Sequence, residues 1–147
     1  MKKIFIVFII IILTGCSKNY KVCNSSIDNK KQNYHADLTY KIYYKNNFVT
    51  SVEISQKYTS TDQNMINYFD NYLKLTYVTL NEQYGYITYE RKQINNGIEY
   101  DAKFDYTKID INEMVKNGYI DKDYVVNKRI SLSGITKMYE KKGAVCK

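Results

Sequence analysis

The chain has no proline and no tryptophan, one histidine and six glycines in 147 residues. Each scarcity excludes something. A lone histidine, His35, gives no convincing Ser-His-Asp or Cys-His arrangement. With three cysteines and one histidine there is no metal-ligand cluster, so neither a metal nor another cofactor is expected. The glycines never gather into a phosphate-cradling loop, and no Cys-x-x-Cys pair marks a redox site. No linker, repeat or low-complexity block divides the chain.

What is present suits one globular domain. The chain is 44% hydrophobic, enough to build a core. It carries 17 tyrosines and a formal net charge of +7. Heavy use of Asn, Lys, Ile and Tyr is the mark of an AT-rich genome, so the number of tyrosines or lysines alone argues little. The positive charge is spread along the chain, which does not point to nucleic acid.

The N-terminus reads as an export signal. Lys2 and Lys3 precede an unbroken apolar run from Ile4 to Leu13. As a helix that run would span roughly 15 Å, about half a bilayer core, too short for a spanning anchor. It ends in Leu13-Thr14-Gly15-Cys16, which looks like a bacterial lipobox. Residues 1–15 are then a lipoprotein signal peptide, with Cys16 carrying a diacylglyceryl group after cleavage. Two acyl chains suffice for stable anchoring, where one is marginal. Residues 16–20 form a short tether and 21–147 one extracytoplasmic domain. The four residues from Ser17 to Tyr20 reach at most about 14 Å, which holds the domain against the membrane.

Cys23 and Cys146 remain. An exported chain sits where a disulfide persists, and with Cys16 acylated only one pairing is left. The bond closes a very long loop, for which the chain-entropy argument gives roughly 4–5 kcal/mol as an upper bound. It staples the C-terminus beside the anchored N-terminus.

Residues 19–24 form a short strand, followed by a polar loop over 25–32. From Tyr34 the pattern alternates strictly. Tyr34, Ala36, Leu38, Tyr40, Ile42 and Tyr44 fall on one face, with His35, Asp37, Thr39, Lys41 and Tyr43 on the other. The return strand is 48–58. A three-residue loop at 45–47 pairs Tyr44 with Phe48, Tyr40 with Val52 and Leu38 with Ile54; a two-residue Asn46-Asn47 turn would set Ile42 opposite Ser51 and split the apolar faces. A second hairpin joins 84–94 to 98–106 across Asn96-Gly97. It pairs Lys92 with Asp101 and Glu90 with Lys103 on a charged face, and Tyr89 with Phe104 and Arg91 with Ala102 on a mostly apolar one.

Between the hairpins, Ser60 and Gln63 make a capping box. Ile66, Phe69, Leu73, Thr76 and Leu80 recur at helical spacing, with Asn67, Asp70, Asn71 and Lys74 opposite. Asp110 and Glu113 cap a brief helix that ends at Gly118. Residues 121–130 fit no single element. Ser133 caps a helix through Tyr139, stopped by Gly143, and 144–147 form a final strand beside 19–24. The sum is an α+β domain: an antiparallel sheet of five to six strands, with one long and one or two short helices on one face.

The stretches "LTGC", "LTYKIYYKNNFVTSVEIS", "EYDAKFDYTKIDI" and "MYEKKGAVC" follow one order. In that order the chain resembles the YehR-like family of small bacterial lipoproteins, over most of the mature sequence. The resemblance implies a lipid-anchored α+β domain of undefined activity, with Cys16 as the lipidated position. It brings no catalytic residue.

Two functions follow as expectations. The preferred one is a non-enzymatic, membrane-tethered module holding an envelope component or partner protein. Tyr43, Tyr84 and Tyr86, placed on the sheet face away from the long helix, are its candidate contacts. The alternative is a small envelope hydrolase using strand carboxylates such as Glu99 and Asp101. Cross-strand pairing with Lys92 and Lys103 explains those acids without catalysis. Asp121-x-Asp123 lacks the glycine and distal glutamate of a calcium loop and reads as a turn.

Overall fold

A computed structural model describes residues 19–147. The signal segment, the lipobox and Cys16 lie outside the described residues. The fold is α+β, as its patterns indicate. Six strands form one antiparallel sheet in the order β4-β5-β3-β2-β1-β8. They are β1 (Asn19–Asn29), β2 (Tyr34–Lys45), β3 (Phe48–Ser60), β4 (Ile87–Ile94), β5 (Gly97–Asp105) and β8 (Val145–Cys146). The helices are α1 (Gln63–Tyr84), α2 (Ile111–Lys116) and α3 (Leu132–Lys141). Residues 121–130, which fit no single element as sequence, fold into a 3-10 turn at Lys122–Tyr124 and a small hairpin of β6 (Val125–Val126) and β7 (Arg129–Ile130). Among the described residues no helix is long and apolar enough to cross a membrane.

The core lies between the sheet and the helices. From the strands it takes Tyr40, Ile42, Val52, Ile98, Tyr100 and Phe104, all buried. From α1 it takes Ile66, Leu73, Tyr77, Leu80 and Tyr84. The helix is turned slightly from its expected stripe, so that Tyr77 and Tyr84 enter the core in place of Thr76. Tyr77 keeps its hydroxyl satisfied by donating to Gln56 Oε1 at 2.5 Å. Tyr139 of α3 stacks on Tyr40 with ring centroids 3.9 Å apart, so α3 packs on the same side of the sheet as α1. Much of the tyrosine in this chain is core.

The cross-strand disulfide joins Cys23 to Cys146. It ties β8 to β1, where Val22 and Lys147 exchange backbone hydrogen bonds at the neighbouring position. The alternating face of β2 is also as expected.

Several local expectations need correction. Strand β1 runs to Asn29 and pairs with β2 throughout, so residues 25–29 are not a loop. Strand β8 and Lys147 cover β1 only from Val22 to Asn24, which leaves residues 25–29 as a sheet edge among the described residues, where Ser25, Ser26, Asp28 and Asn29 tolerate water. The first hairpin turns on Asn46-Asn47, with φ of 51° and 63°, and not on three residues. A bulge at Thr50 then restores the inside-outside phase, setting Ile42 opposite Val52 and Tyr40 opposite Ile54. Thr50 Oγ1 donates to the Tyr43 carbonyl at 3.2 Å and fixes that bulge.

The second hairpin turns on Asn95-Asn96, so Lys92 opposes Glu99, Arg91 opposes Tyr100 and Tyr89 opposes Ala102. Gly97 belongs to β5, not to the turn. A Cβ there would run into the Tyr58 carbonyl of β3, so this glycine serves close strand approach. The caps shift too. Asp62, not Ser60, caps α1, accepting from the Asn64 amide at 2.9 Å. Ser131, not Ser133, caps α3, accepting from Gly134 at 3.0 Å. Asp110 caps α2 as expected, and its acidic first-turn partner is Glu113.

Candidate functional site

Since α1 and α3 share one side, no helix among the described residues covers the other face of the sheet. Strand alternation sends onto it the residues out of phase with the core: Thr39, Lys41 and Tyr43 of β2, Glu53, Ser55 and Lys57 of β3, and Glu99, Asp101 and Lys103 of β5. A shallow depression of about 480 Å³ runs across its middle, bordered by Thr39, Lys41, Glu53, Ser55, Asp101 and Lys103. Thr88 and Glu90 of β4 close one side.

This face is organised by charge pairs between strands. Glu53 accepts from the Tyr43 hydroxyl at 2.9 Å and pairs with Lys103 at 3.2 Å. Glu99 accepts from Ser55 Oγ at 3.0 Å and faces Lys57 at 3.6 Å. Lys92 reaches diagonally to Asp101 at 2.6 Å. The expected partnership of Lys92 and Asp101 therefore exists, through a diagonal contact and not a directly opposed pair. Lys103 meets Glu53 of β3, not Glu90 of β4. Each lysine here is half-exposed, so each pair fixes side chains more than it stabilises the fold.

Two aspartates of β5, Asp101 and Asp105, are held below the ordinary carboxylate value. Burial raises Asp101, but hydrogen bonds from Lys92 and Ser55 outweigh it and leave the group below its ordinary value. Hydrogen bonding from Thr107 also holds Asp105 low. A general acid needs the opposite shift. Glu99 and Asp101 do share the open face, but each is engaged by a lysine and Ser55 joins them. His35 is half-exposed, with Nε2 at 3.2 Å from Asp37. Asp121 caps the 3-10 turn through the Asp123 amide, so the Asp121-x-Asp123 motif is a turn. Among the described residues no three His, Cys, Asp or Glu side chains converge as a metal set.

The three candidate tyrosines separate. Tyr43 is on the open face, near Tyr20, with ring centroids 6.0 Å apart. Tyr86 is exposed at the start of β4, with φ of 54°. Tyr84 is not on this face: it ends α1, buried, and accepts from Asn117 Nδ2 at 3.0 Å. The helical phase of residues 63–84 carries it into the core.

One polar cluster escapes sequence reading. Asp70 of α1 lies toward the sheet edge and not toward open solvent. Arg91 grips it through Nε and Nη2, with donor distances of 2.8–3.0 Å. The buried Tyr100 donates its hydroxyl to Asp70 Oδ1 at 2.7 Å. Hydrogen bonding from Arg91 dominates the resulting downward shift of the Asp70 carboxyl. Helix and strand are linked here through residues far apart in the chain, and no local pattern announces it.

No family model matches the chain, and no curated protein matches it. A solved NMR structure of a protein from Streptococcus pneumoniae TIGR4 is similar to it at 16% identity and a TM-score of 0.47, covering 100% of this chain and 97% of that one. That likeness is too slight to argue from.

Proposed function

We propose that this chain is a lipid-anchored, non-catalytic binding module of a bacterial cell envelope. Cys16 carries the diacylglyceryl anchor, and the open sheet face holds an envelope ligand or partner protein. The likeness to YehR-like lipoproteins supports the anchored placement. The observation that carries the binding reading is the bare face itself. Ordered amines, carboxylates and hydroxyls line a shallow depression across four strands of a rigid sheet. Such a surface suits a partner rich in hydroxyl or amide groups, which donates and accepts hydrogen bonds in alternation. Tyr43 and Tyr20 supply aromatic faces at one end of it.

The hydrolase reading has weaker support. It asks for a carboxyl raised toward neutrality inside a cleft, and Asp101 is shifted the other way on an open surface. The test is a pull-down from envelope extract with the signal-less Cys16→Ser protein. Wild-type face residues should capture a component that Lys103→Ala/Asp101→Ala does not. Failure of the wild-type face to capture any envelope ligand or protein would count against the proposal.

A further inference from the structure

The end of the domain where the chain enters carries an uncommon surface. There β1 begins, β2 ends and β3 begins, with Asn19 opposite Tyr44 and Lys45 opposite Phe48. The β6-β7 hairpin and the first turn of α3 join this end through the Phe48–Ser131 bridge and the hydrogen bond from Leu132 N to the Asn47 carbonyl. Six cations lie on the elements of this end: Lys21, Lys41 and Lys45 on β1 and β2, Lys128 and Arg129 on the small hairpin, and Lys137 on α3. None of them forms an ion pair among the described residues, in contrast to Lys57, Arg91, Lys92 and Lys103 on the sheet. Aromatic rings lie among them. Lys41 Nζ is 4.4 Å from the centre of the Tyr20 ring, and the Arg129 guanidinium is 4.1 Å from that of Phe48. Val126 is 48% exposed at the hairpin.

A groove of about 560 Å³ opens between Lys21, Phe48, Val126 and Lys137. Thr136 lines it too, and its buried hydroxyl has no hydrogen-bond partner among the described residues. Glu140 is the one carboxylate on the groove's rim.

We infer that this end is a membrane-docking surface for anionic phospholipid headgroups. The inference rests on the anchored reading of Cys16 and gives that reading an orientation. The tether argues for the occupant. Only residues 17–19 separate Cys16 from Tyr20, a reach of at most about 14 Å, so an acylated Cys16 keeps this end within reach of the headgroups. Unpaired cations meet a negative surface there, at separations comparable to the Debye length of about 8 Å. Aromatic rings beside cations are the side chains that settle at a membrane-water interface. With this end down, the sheet strands rise from the membrane, and the part of the open face beyond Lys41 stands clear of it.

The absence of tryptophan makes the test clean, since one introduced Trp dominates the emission. Mature acylated protein carrying Val126→Trp or Ile27→Trp is reconstituted into phosphatidylcholine vesicles, with or without an equal part of phosphatidylglycerol. A lipid with a nitroxide in its headgroup region serves as quencher. Ile27 is exposed too, but roughly 20 Å up β1 from Tyr20. Docking predicts a blue shift and quenching for Val126→Trp in anionic vesicles, both abolished by high salt, and no change for Ile27→Trp. Lys45→Gln, Lys128→Gln, Arg129→Gln and Lys137→Gln together should abolish the effect, and the same lysines changed to Arg should keep it. Equal quenching at both positions, or equal quenching in neutral and anionic vesicles, overturns the inference. Fatty-acid labelling of the same preparation separates the failures. A labelled protein with no quenching overturns docking alone, whereas an unlabelled one overturns the anchor and docking together.

Discussion

The two faces of this sheet come from the same strands and the same alternation, and they do opposite work. On the helix side, tyrosines stack on one another and bury nearly all their surface, as with Tyr40 on Tyr139 and Tyr77 beside Tyr100. On the open side, half-exposed lysines and carboxylates hold one another in place at 2.6–3.6 Å. The first arrangement is worth much in stability, because large apolar area leaves water. The second is worth little in stability, because water already solvates the ions. It is a surface with fixed hydrogen-bonding groups. On the proposed reading, stability and recognition are divided between the faces, and the division gives each substitution a different signature.

The largest effect should come from the covered side's covalent staple. Cys23 and Cys146 lie 123 positions apart, and reducing them, or Cys146→Ser, should cost about 4 kcal/mol in denaturant unfolding. Ile42 is fully buried, and Ile42→Ala should cost about 3 kcal/mol. Failure of either to lower the unfolding midpoint would break the claim that this side carries the fold.

Asp70 sharpens the boundary between helix and sheet. Asp70→Ala strips the buried Tyr100 hydroxyl of its better acceptor and should cost about 2 kcal/mol. The pH dependence has a definite sign. The folded carboxyl lies below its ordinary 3.8, so the unfolded chain binds the proton first on acidification. The contribution is complete above about pH 4 and is lost as pH falls through the folded value. The stability gap between wild type and Asp70→Asn should therefore shrink at low pH and hold constant near neutrality, as read by urea titrations.

The smallest stability effect belongs to the open face. Lys103→Ala should change unfolding by less than about 1 kcal/mol, and by less still in high salt. Its loss should appear in ligand capture instead. A cost of several kcal/mol would show that the open face is structural after all.

Which residue belongs to which face was legible, because period two is enforced wherever one side is buried. The register was not. Beyond the Thr50 bulge of the first hairpin, and throughout the second, the pairing differs from expectation by two positions, which keeps those side chains on their predicted faces; before the bulge the shift is one position, and Val49 takes the place expected of Phe48. In the first, the local turn is short and Thr50 bulges to compensate. In the second, Asn95-Asn96 turns the chain and Gly97 is placed by contact with Tyr58 of a different hairpin. The second cause is not local. The polar half of β1 was hidden because an edge strand needs no apolar face. The open-face partners were legible by type, as lysines opposite acids, but the Glu53–Lys103 link joins strands of separate hairpins. The depression they border exists only once β2, β3, β5 and β4 lie side by side.

The central claim is that an anchored domain presents its open face to an envelope partner. The most direct measurement places a photocrosslinking residue, in living cells, at Thr88 on the open face or at Lys74 on the solvent side of α1. Both positions are exposed. The account predicts an adduct with an envelope component from Thr88 and none from Lys74. An adduct from Lys74 alone, or none from Thr88 in a protein that is present and fatty-acid labelled, would contradict it.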